Sequence, residues 1–131
     1  VKPGLRELLA WLKQAHILCA VATSTFTNVA IGYLKNAGVL NCFAAIVGGD
    51  QVTKSKPDPE IFQLAMRALG KQTPETCVVF EDSRNGLLAG ANGGFPVIVV
   101  PDLFDPTLEL PGLCYAKCAR LDEAIDVIQN S

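Results

Sequence analysis

The 131-residue sequence lacks two patterns that would each define a class of protein. Its apolar runs, such as residues 17–22 and 96–101, are far shorter than the roughly 20 residues that a membrane-spanning helix needs. It also has no cluster of Lys and Arg, and 11 basic and 13 acidic residues give a formal charge of -2. A basic surface for nucleic acid is therefore not expected. We expect a soluble protein whose partners are neither membranes nor nucleic acids.

Histidine is scarce and cysteine is odd in number. The single His16 is predicted to lie at a turn between a helix and a strand, and no Ser or Cys partner stands nearby in sequence to favour catalysis. Three of the five cysteines lie in apolar, strand-like runs, and Cys114 and Cys118 lack the second pair or His that would complete a zinc site. We expect structural thiols in a reducing, intracellular compartment, the cytoplasm.

Length and composition predict one domain, residues 1–131. With 50% hydrophobic residues, a chain of this size can bury about two-thirds of the surface that its unfolded form exposes. The sequence shows no internal repeat, low-complexity tract or linker, and residues 102–111, with two prolines, are predicted to form a surface loop. Because the sequence begins with Val1 rather than Met, we expect that a preceding segment was removed.

Apolar periodicity predicts helices that alternate with short buried strands. Leucines at helical spacing follow Pro3-Gly4, and Asp58 before Pro59 predicts the start of the clearest helix, which runs to Gly70. The predicted strands are residues 17–22, 43–47, 77–80 and 97–100, and further helices are predicted at 29–37, 85–91 and 121–128. This order predicts an α/β fold, a Rossmann-like three-layer parallel sheet with helices on both faces. Ligands of such sheets collect at the carboxyl ends of the strands.

Polar side chains follow three of the predicted strands. Thr23-Ser24-Thr25 follow the first, Lys56 lies in the loop after the second, and Glu81-Asp82-Ser83 follow the third. Hydroxyls, backbone amides at a helix start, a cation and a carboxylate pair are what a phosphoryl group with Mg²⁺ requires. Each group alone is compatible with an N-cap, a solvated loop charge or a polar turn. Their shared position after strands favours a phosphate and metal site.

These groups stand in three strings that resemble motifs of the haloacid dehalogenase-like (HAD) hydrolases. Residues 21–25 (VATST) resemble the second motif, 56–62 (KPDPEIF) the third and 80–86 (FEDSRNG) the fourth. Within that family the likeness is to the β-phosphoglucomutase-like phosphatases. The resemblance covers nearly the whole chain. It implies a HAD core and a Mg²⁺-dependent phosphatase that hydrolyses phosphate monoesters through an aspartyl-phosphate, acting on a small phosphorylated metabolite such as a sugar phosphate.

The resemblance also implies a role for individual residues. Thr23 and Lys56 are the implied catalytic residues: the Thr23 hydroxyl binds phosphate, and Lys56 neutralises the charge of the phosphate and of the attacking carboxylate. The backbone amide of Ser24 adds a phosphate contact. Asp82, with Glu81, is implied to hold Mg²⁺.

One family motif is missing, because no Asp-x-Asp occurs in the sequence. By resemblance, that motif lies on a central strand, ahead of a cap domain, and both should precede Val1. We therefore expect an incomplete core that is inactive alone. We also expect a gap between the strands ending at Ala22 and Phe80, filled by a separate segment or by rearranged or intermolecular strand pairing.

Several other functions share part of this pattern. A HAD dehalogenase needs no metal, so the pair Glu81-Asp82 disfavours it. A receiver domain of two-component signalling has its acidic cluster first in the chain, whereas here the hydroxyl and Lys precede the acids. A β-phosphoglucomutase-type phosphoryl transfer and a non-catalytic phosphate-binding lobe remain alternatives.

Overall fold

The structure is a computed structural model that describes residues 2–103 and 105–131. In these residues five α-helices and five short strands follow one another, alternating as far as β4, which confirms the predicted α/β class. The helices are α1 (Leu5–Gln14), α2 (Thr27–Asn36), α3 (Glu60–Ala68), α4 (Arg84–Asn92) and α5 (Ala124–Gln129), and the strands are β1 (Ala20–Ala22), β2 (Ala45–Val47), β3 (Val79–Glu81), β4 (Val97–Val99) and β5 (Ala116–Lys117).

The strands form two parallel sheets. In the first, β1 pairs with β2, with Ala20 opposite Ala45. In the second, β4 lies between β3 and β5. Among the described residues no ladder joins β1 to β3, so the predicted gap between the strands that end near Ala22 and Phe80 is present.

Helices cover both faces and hold the two sheets together. On one face Ile61 and Phe62 of α3 are buried in a cluster that includes Val47 of β2 and Val79 of β3, so α3 bridges the gap. On the other face α1, α5 and the second sheet form another buried cluster, which includes Ile98 of β4. β4 is buried on both faces, as its continuous apolar sequence predicts. The layers therefore match the predicted three-layer arrangement.

The first strand is shorter and more exposed than predicted. Only Ala20–Ala22 pair with β2, and all three are half-buried rather than buried on both faces. Ile17 and Leu18, expected to be buried, are 42% and 59% exposed. In the described residues β1 pairs with β2 on one edge, so no strand covers its other edge or the residues that lead into it.

Helix α2 is also more exposed than its sequence pattern predicts. Val29 and Tyr33 were expected on the buried face, but they are 47% and 67% exposed, and only Ala30 is buried there. The helix packs against β2 of the two-stranded sheet, which is too narrow to cover the whole apolar face.

The remaining predictions agree in location but differ in detail. His16 lies at an exposed turn with a φ of 60°, as predicted. Helix α3 begins at Glu60, so Pro59 and not Asp58 is in the N-cap position, although the Asp58 Oδ1 accepts the Glu60 N–H at 3.0 Å. The sequence did not predict β5, which has only two residues. The five cysteines are free thiols, and no described helix is long and apolar enough to cross a membrane.

Candidate functional site

The carboxyl ends of β1 and β3 open into one cleft of about 950 Å³. The five site residues predicted from the sequence all line it: Thr23, Ser24, Lys56, Glu81 and Asp82. They reach the cleft because β1 and β3, although they belong to different sheets, both end beside it, so the loops that follow them converge.

Lys56 and Glu81 form an ion pair inside this cleft. The Lys56 Nζ lies 2.7 Å from the Glu81 Oε2, and the two side chains are only 13% and 10% exposed. The Lys56 ammonium also lies 5.0 Å from the ring centre of Phe62, close enough for a cation–π interaction. A charge pair with so little exposure is held in one geometry, so Lys56 is fixed in the cleft rather than a solvated loop charge.

The loop that carries Lys56 is closed by a second carboxylate. Glu60, in the first turn of α3, accepts hydrogen bonds from the Thr53 N–H at 3.1 Å, the Thr53 hydroxyl at 2.9 Å and the Lys54 N–H at 2.9 Å. The backbone N–H of Lys54, followed by the backbone N–H and the hydroxyl of Thr53, lowers the pKa of Glu60, so Glu60 stays ionised at neutral pH. The backbone that leads into Lys56 is therefore tied to the start of α3.

The turn between β3 and α4 shows why Glu81, Ser83 and Gly86 stand at their positions in the string at residues 80–86. Ser83 caps α4, because its Oγ accepts the Gly86 N–H at 3.0 Å, and its hydroxyl donates to Glu81 Oε1 at 3.2 Å. A Cβ at Gly86 would overlap the Glu81 carboxylate. Residue 86 must therefore be glycine for Glu81 to turn toward Lys56.

The loop after β1 presents the groups predicted to bind phosphate. The Thr23 N–H donates to the Val47 carbonyl at 2.9 Å, and the Thr23 Oγ1 accepts the Thr25 N–H at 3.2 Å. These bonds leave the Thr23 hydroxyl proton available as a donor. Within the described chain, no protein group accepts the Ser24 N–H.

One expected part of the phosphate site is otherwise engaged. The sequence predicts phosphate-binding backbone amides at a helix start. In α2, the helix that follows Thr23, the N–H of the first residue, Thr27, donates to Asp50 Oδ1 at 2.7 Å. An orphan N–H at a helix start needs an acceptor, and here a carboxylate of the protein supplies it. Thr27 is therefore engaged with the protein, whereas Thr23 and Ser24, upstream of the helix, line the cleft.

The two acidic residues fit a magnesium ion in different degrees. Glu81 Oε2 is bound to Lys56, and Glu81 Oε1 accepts Ser83 and the Asp82 N–H. Asp82 is 41% exposed, and its Oδ2 lies 3.5 Å from the Lys2 Nζ. No group of three or more His, Cys, Asp or Glu side chains suited to a metal occurs in the described part of the chain. Mg²⁺ keeps several waters beside one or two carboxylates, so the Asp82 carboxylate fits it as a ligand. Glu81 instead accepts the Asp82 N–H and pairs with Lys56.

Sequence reasoning missed several residues that line the cleft, among them Lys2, Ser55, Arg84 and Asn85. Lys2 donates to the Val100 carbonyl at 3.4 Å, and Arg84 pairs with Glu109 at 3.1 Å. Arg84 and Asn85 stand within the string at residues 80–86, which was a usable signal. Lys2 precedes α1 and follows no strand, so a search for polar residues after strands could not find it.

A parallel α/β sheet with a hydroxyl, a fixed lysine and a carboxylate at its carboxyl edge is the arrangement of a phosphoryl-handling α/β protein. The family model of the haloacid dehalogenase-like hydrolases matches residues 1–94. This chain belongs to that family, which confirms the resemblance read from its motifs.

Individual relatives place the chain more narrowly. It is 42% identical over 92 residues to the phosphorylated carbohydrates phosphatase of Thermotoga maritima, which is 70% of this chain and 42% of that protein. The crystal structure of CbbY from Rhodobacter sphaeroides in complex with phosphate superposes with a TM-score of 0.84 at 34% identity, covering 94% of this chain and 55% of CbbY. The β-phosphoglucomutase of Clostridium difficile shares the fold, with a TM-score of 0.85 at 23% identity over 99% of this chain and 55% of that one. The chain thus spans about half the length of these proteins.

Proposed function

We propose that this chain supplies the phosphate- and metal-binding side of a Mg²⁺-dependent phosphatase, which hydrolyses a phosphate monoester through an aspartyl-phosphate. The observation that carries the proposal is the convergence of Thr23, Lys56 and Asp82 on one cleft, with Lys56 fixed by its ion pair to Glu81. Donors fixed before the reaction stabilise the charge of a transferring phosphoryl group without a cost of reorganisation.

The proposed phosphate contacts follow from the donors that remain available. Thr23 donates its hydroxyl proton to one phosphate oxygen, and Ser24 donates its backbone N–H to another. An ammonium has three protons, and Lys56 uses one on Glu81, so two can face the phosphate and the attacking carboxylate. The ion pair with Glu81 aims these protons.

The proposed metal contact is the Asp82 carboxylate. When bound, Mg²⁺ would neutralise charge on the transferring group. Glu81 keeps Lys56 beside this position while its Oε1 accepts the Asp82 N–H at 3.3 Å. That contact holds the backbone from which the Asp82 side chain projects.

The attacking aspartate and its acid-base partner, in this proposal, come from a strand outside these residues that pairs between β1 and β3. Both strands have a ladder partner on one side within the described chain. Ile17, Leu18 and Val78, which precede these strands, are 42%, 59% and 41% exposed. A strand placed in the gap would pair with both edges and cover apolar surface, whether it belongs to the same gene product or to another copy.

The proposed substrate is a small phosphorylated metabolite such as a sugar phosphate. Support comes from the name of the Thermotoga maritima relative, a phosphatase of phosphorylated carbohydrates that is 42% identical to this chain. CbbY, which shares the fold of the cleft region, was crystallised with phosphate.

Substitution of Thr23 in the full-length gene product tests the proposal. Thr23→Val removes the hydroxyl and should weaken inhibition by inorganic phosphate and lower turnover of a phosphate monoester by about 10²-fold, as for loss of an oxyanion donor. Thr23→Ser keeps the hydroxyl and should restore most of both. Thr73→Val, at an exposed turn away from the cleft, is the matched control. Native kinetics in Thr23→Val would refute the phosphate role, and phosphate binding without any turnover would favour a non-catalytic lobe.

A further inference from the structure

Asp50 caps a helix that begins 23 residues before it in the sequence. Its Oδ1 accepts both the N–H of Thr27, at 2.7 Å, and the Thr27 hydroxyl, at 2.8 Å. The residue in the N-cap position, Phe26, has no side-chain acceptor. Asp50 therefore supplies, from the loop after β2, an acceptor for one of the N–H groups that have no partner within the helix at its start.

The side chain next to Asp50 strengthens the same contact. The Gln51 Nε2 donates to the Thr27 Oγ1 at 2.8 Å and to the Ile46 carbonyl in β2 at 3.2 Å. The Thr27 hydroxyl thus donates to one residue and accepts from the next, which fixes its rotation. Through these bonds the start of α2 is tied to strand β2.

The loop between Thr23 and Thr27 is held along its length by the same segment. The Gly49 N–H donates to the Thr25 carbonyl at 2.9 Å. A Cβ at Gly49 would overlap the Ser24 carbonyl, and one at Gly48 would overlap the Thr27 N–H, so both approaches require glycine. Residues 48–51 therefore contact this loop on one side, while Thr23 and Ser24 line the cleft on the other.

We infer that Asp50 is a positioning residue for phosphate binding: by holding Thr27, it fixes the Thr23 hydroxyl and the Ser24 amide in the cleft. The inference rests on the proposed function of the cleft. Asp50 is not among the residues that line the described cleft, so it acts through the loop and not by touching the ligand.

The charge of Asp50 suits this role. The Thr27 N–H, followed by the Thr27 hydroxyl, lowers the pKa of Asp50, so it is ionised throughout the neutral range. A carboxylate at a helix start complements the helix dipole. It also occupies the position to which that dipole would otherwise draw an anion, which leaves a phosphate to the upstream hydroxyl and amide.

The test compares Asp50→Ala with Asp50→Asn in the full-length gene product. Asn keeps an oxygen acceptor for Thr27, whereas Ala removes it. In Asp50→Ala the amide NMR signals of residues 23–25 should shift and broaden, and the inhibition constant of inorganic phosphate should rise by about 10-fold or more, because small displacements of binding groups are costly. Asp50→Asn should restore most of both. Glu75→Ala, an exposed acidic residue in another turn, is the control.

Two further results separate the outcomes. If Asp50→Ala folds poorly, Gln51→Ala loosens the same contact from the other partner and should give smaller changes in the same direction. Unchanged amide signals of residues 23–25 with native phosphate inhibition, in either folded variant, would overturn the inference. If Thr23→Val left phosphate inhibition and turnover at their native values, the proposed function would be refuted. The amide signals in Asp50→Ala would still report whether Asp50 holds the loop.

Discussion

Lys56 and Glu81 lie 25 residues apart in the sequence, yet their charged groups meet at 2.7 Å in the cleft between the two sheets. The pair links the loop after β2 to the end of β3, across the gap in the sheet. Because both side chains are largely buried, either partner without the other would leave a charge in poorly solvated surroundings. The pair therefore bears on the stability of the cleft as well as on its chemistry.

Replacement of Lys56 should impair catalysis far more than replacement of a neighbouring lysine. Lys56→Ala in the full-length gene product should lower turnover by about 10²-fold or more, because the cation facing the phosphate and attacking carboxylate is lost. Lys54→Ala, which alters an exposed side chain two residues away, should keep near-native kinetics. Thermal melting must first show that Lys56→Ala is folded, since Glu81 loses its partner. Near-native turnover in the folded variant would show that Lys56 has no catalytic role.

Replacement of Asp82 should remove the dependence on magnesium. Asp82→Asn keeps the size of the side chain but loses the charge that attracts a hard cation, so Mg²⁺-dependent activity should fall to background. Titration of activity against Mg²⁺ measures the effect, and Asp126→Asn on the exposed face of α5 is the control. If Asp82→Asn kept native turnover and a native Mg²⁺ titration, the metal assignment would be wrong.

Two helical glycines should respond to alanine in opposite ways. Gly32 of α2 has open space around a new Cβ, so Gly32→Ala should stabilise the protein by about 0.5–1 kcal/mol through helix propensity. Gly86→Ala would push a methyl group into the Glu81 carboxylate and should destabilise by about 1–3 kcal/mol while lowering activity. Denaturant unfolding gives both values. Equal stabilisation by the two changes would contradict the packing of Glu81 on Gly86.

Asp105 should make stability depend on pH in the acid range. The Thr107 hydroxyl and the Lys117 ammonium lower the pKa of Asp105 from 3.8 to about 2. Since the folded-state pKa is the lower one, this contribution is present above about pH 4 and is lost as the pH falls toward 2. Asp105→Asn should remove it, so the difference in melting temperature between wild type and variant should shrink between pH 5 and pH 2. A constant difference across that range would show that Asp105 gains nothing from ionisation.

The sequence predicts best what depends on strand burial and strand direction. The apolar run 97–100 correctly indicated a strand, and β4 there is buried on both faces. The loops that follow parallel strands converge, and this rule was enough to predict that Thr23, Lys56 and Asp82 share one cleft. Local sequence also indicated that a helix starts beside Asp58, whose carboxylate accepts the Glu60 N–H, although the helix begins one residue later than predicted.

Contacts between loops that are far apart in the sequence could not be predicted from its periodicity and motifs. The cap of Asp50 on Thr27 depends on glycines that let two loops approach, and neither residue's neighbours in sequence indicate the partner. Ile17 and Leu18 were expected inside a strand, since apolar periodicity reports hydrophobicity and not whether a neighbouring strand is present. The Asp50–Thr27 contact depends on which loops meet in the fold, and the exposure of Ile17 and Leu18 depends on whether a strand lies beside β1.

In the proposed enzyme this chain binds phosphate and metal but receives its attacking aspartate from a strand between β1 and β3. The most direct test of this proposal is an assay of the purified 131-residue chain against simple phosphate esters with Mg²⁺, alone and with an Asp-x-Asp-bearing segment from the same gene product. No turnover is expected from the chain alone, because neither Thr23 nor Lys56 can replace an attacking carboxylate and its acid-base partner, and activity should appear when the segment is added. Turnover by the chain alone would show that its nucleophile lies within these 131 residues and not on a separate strand.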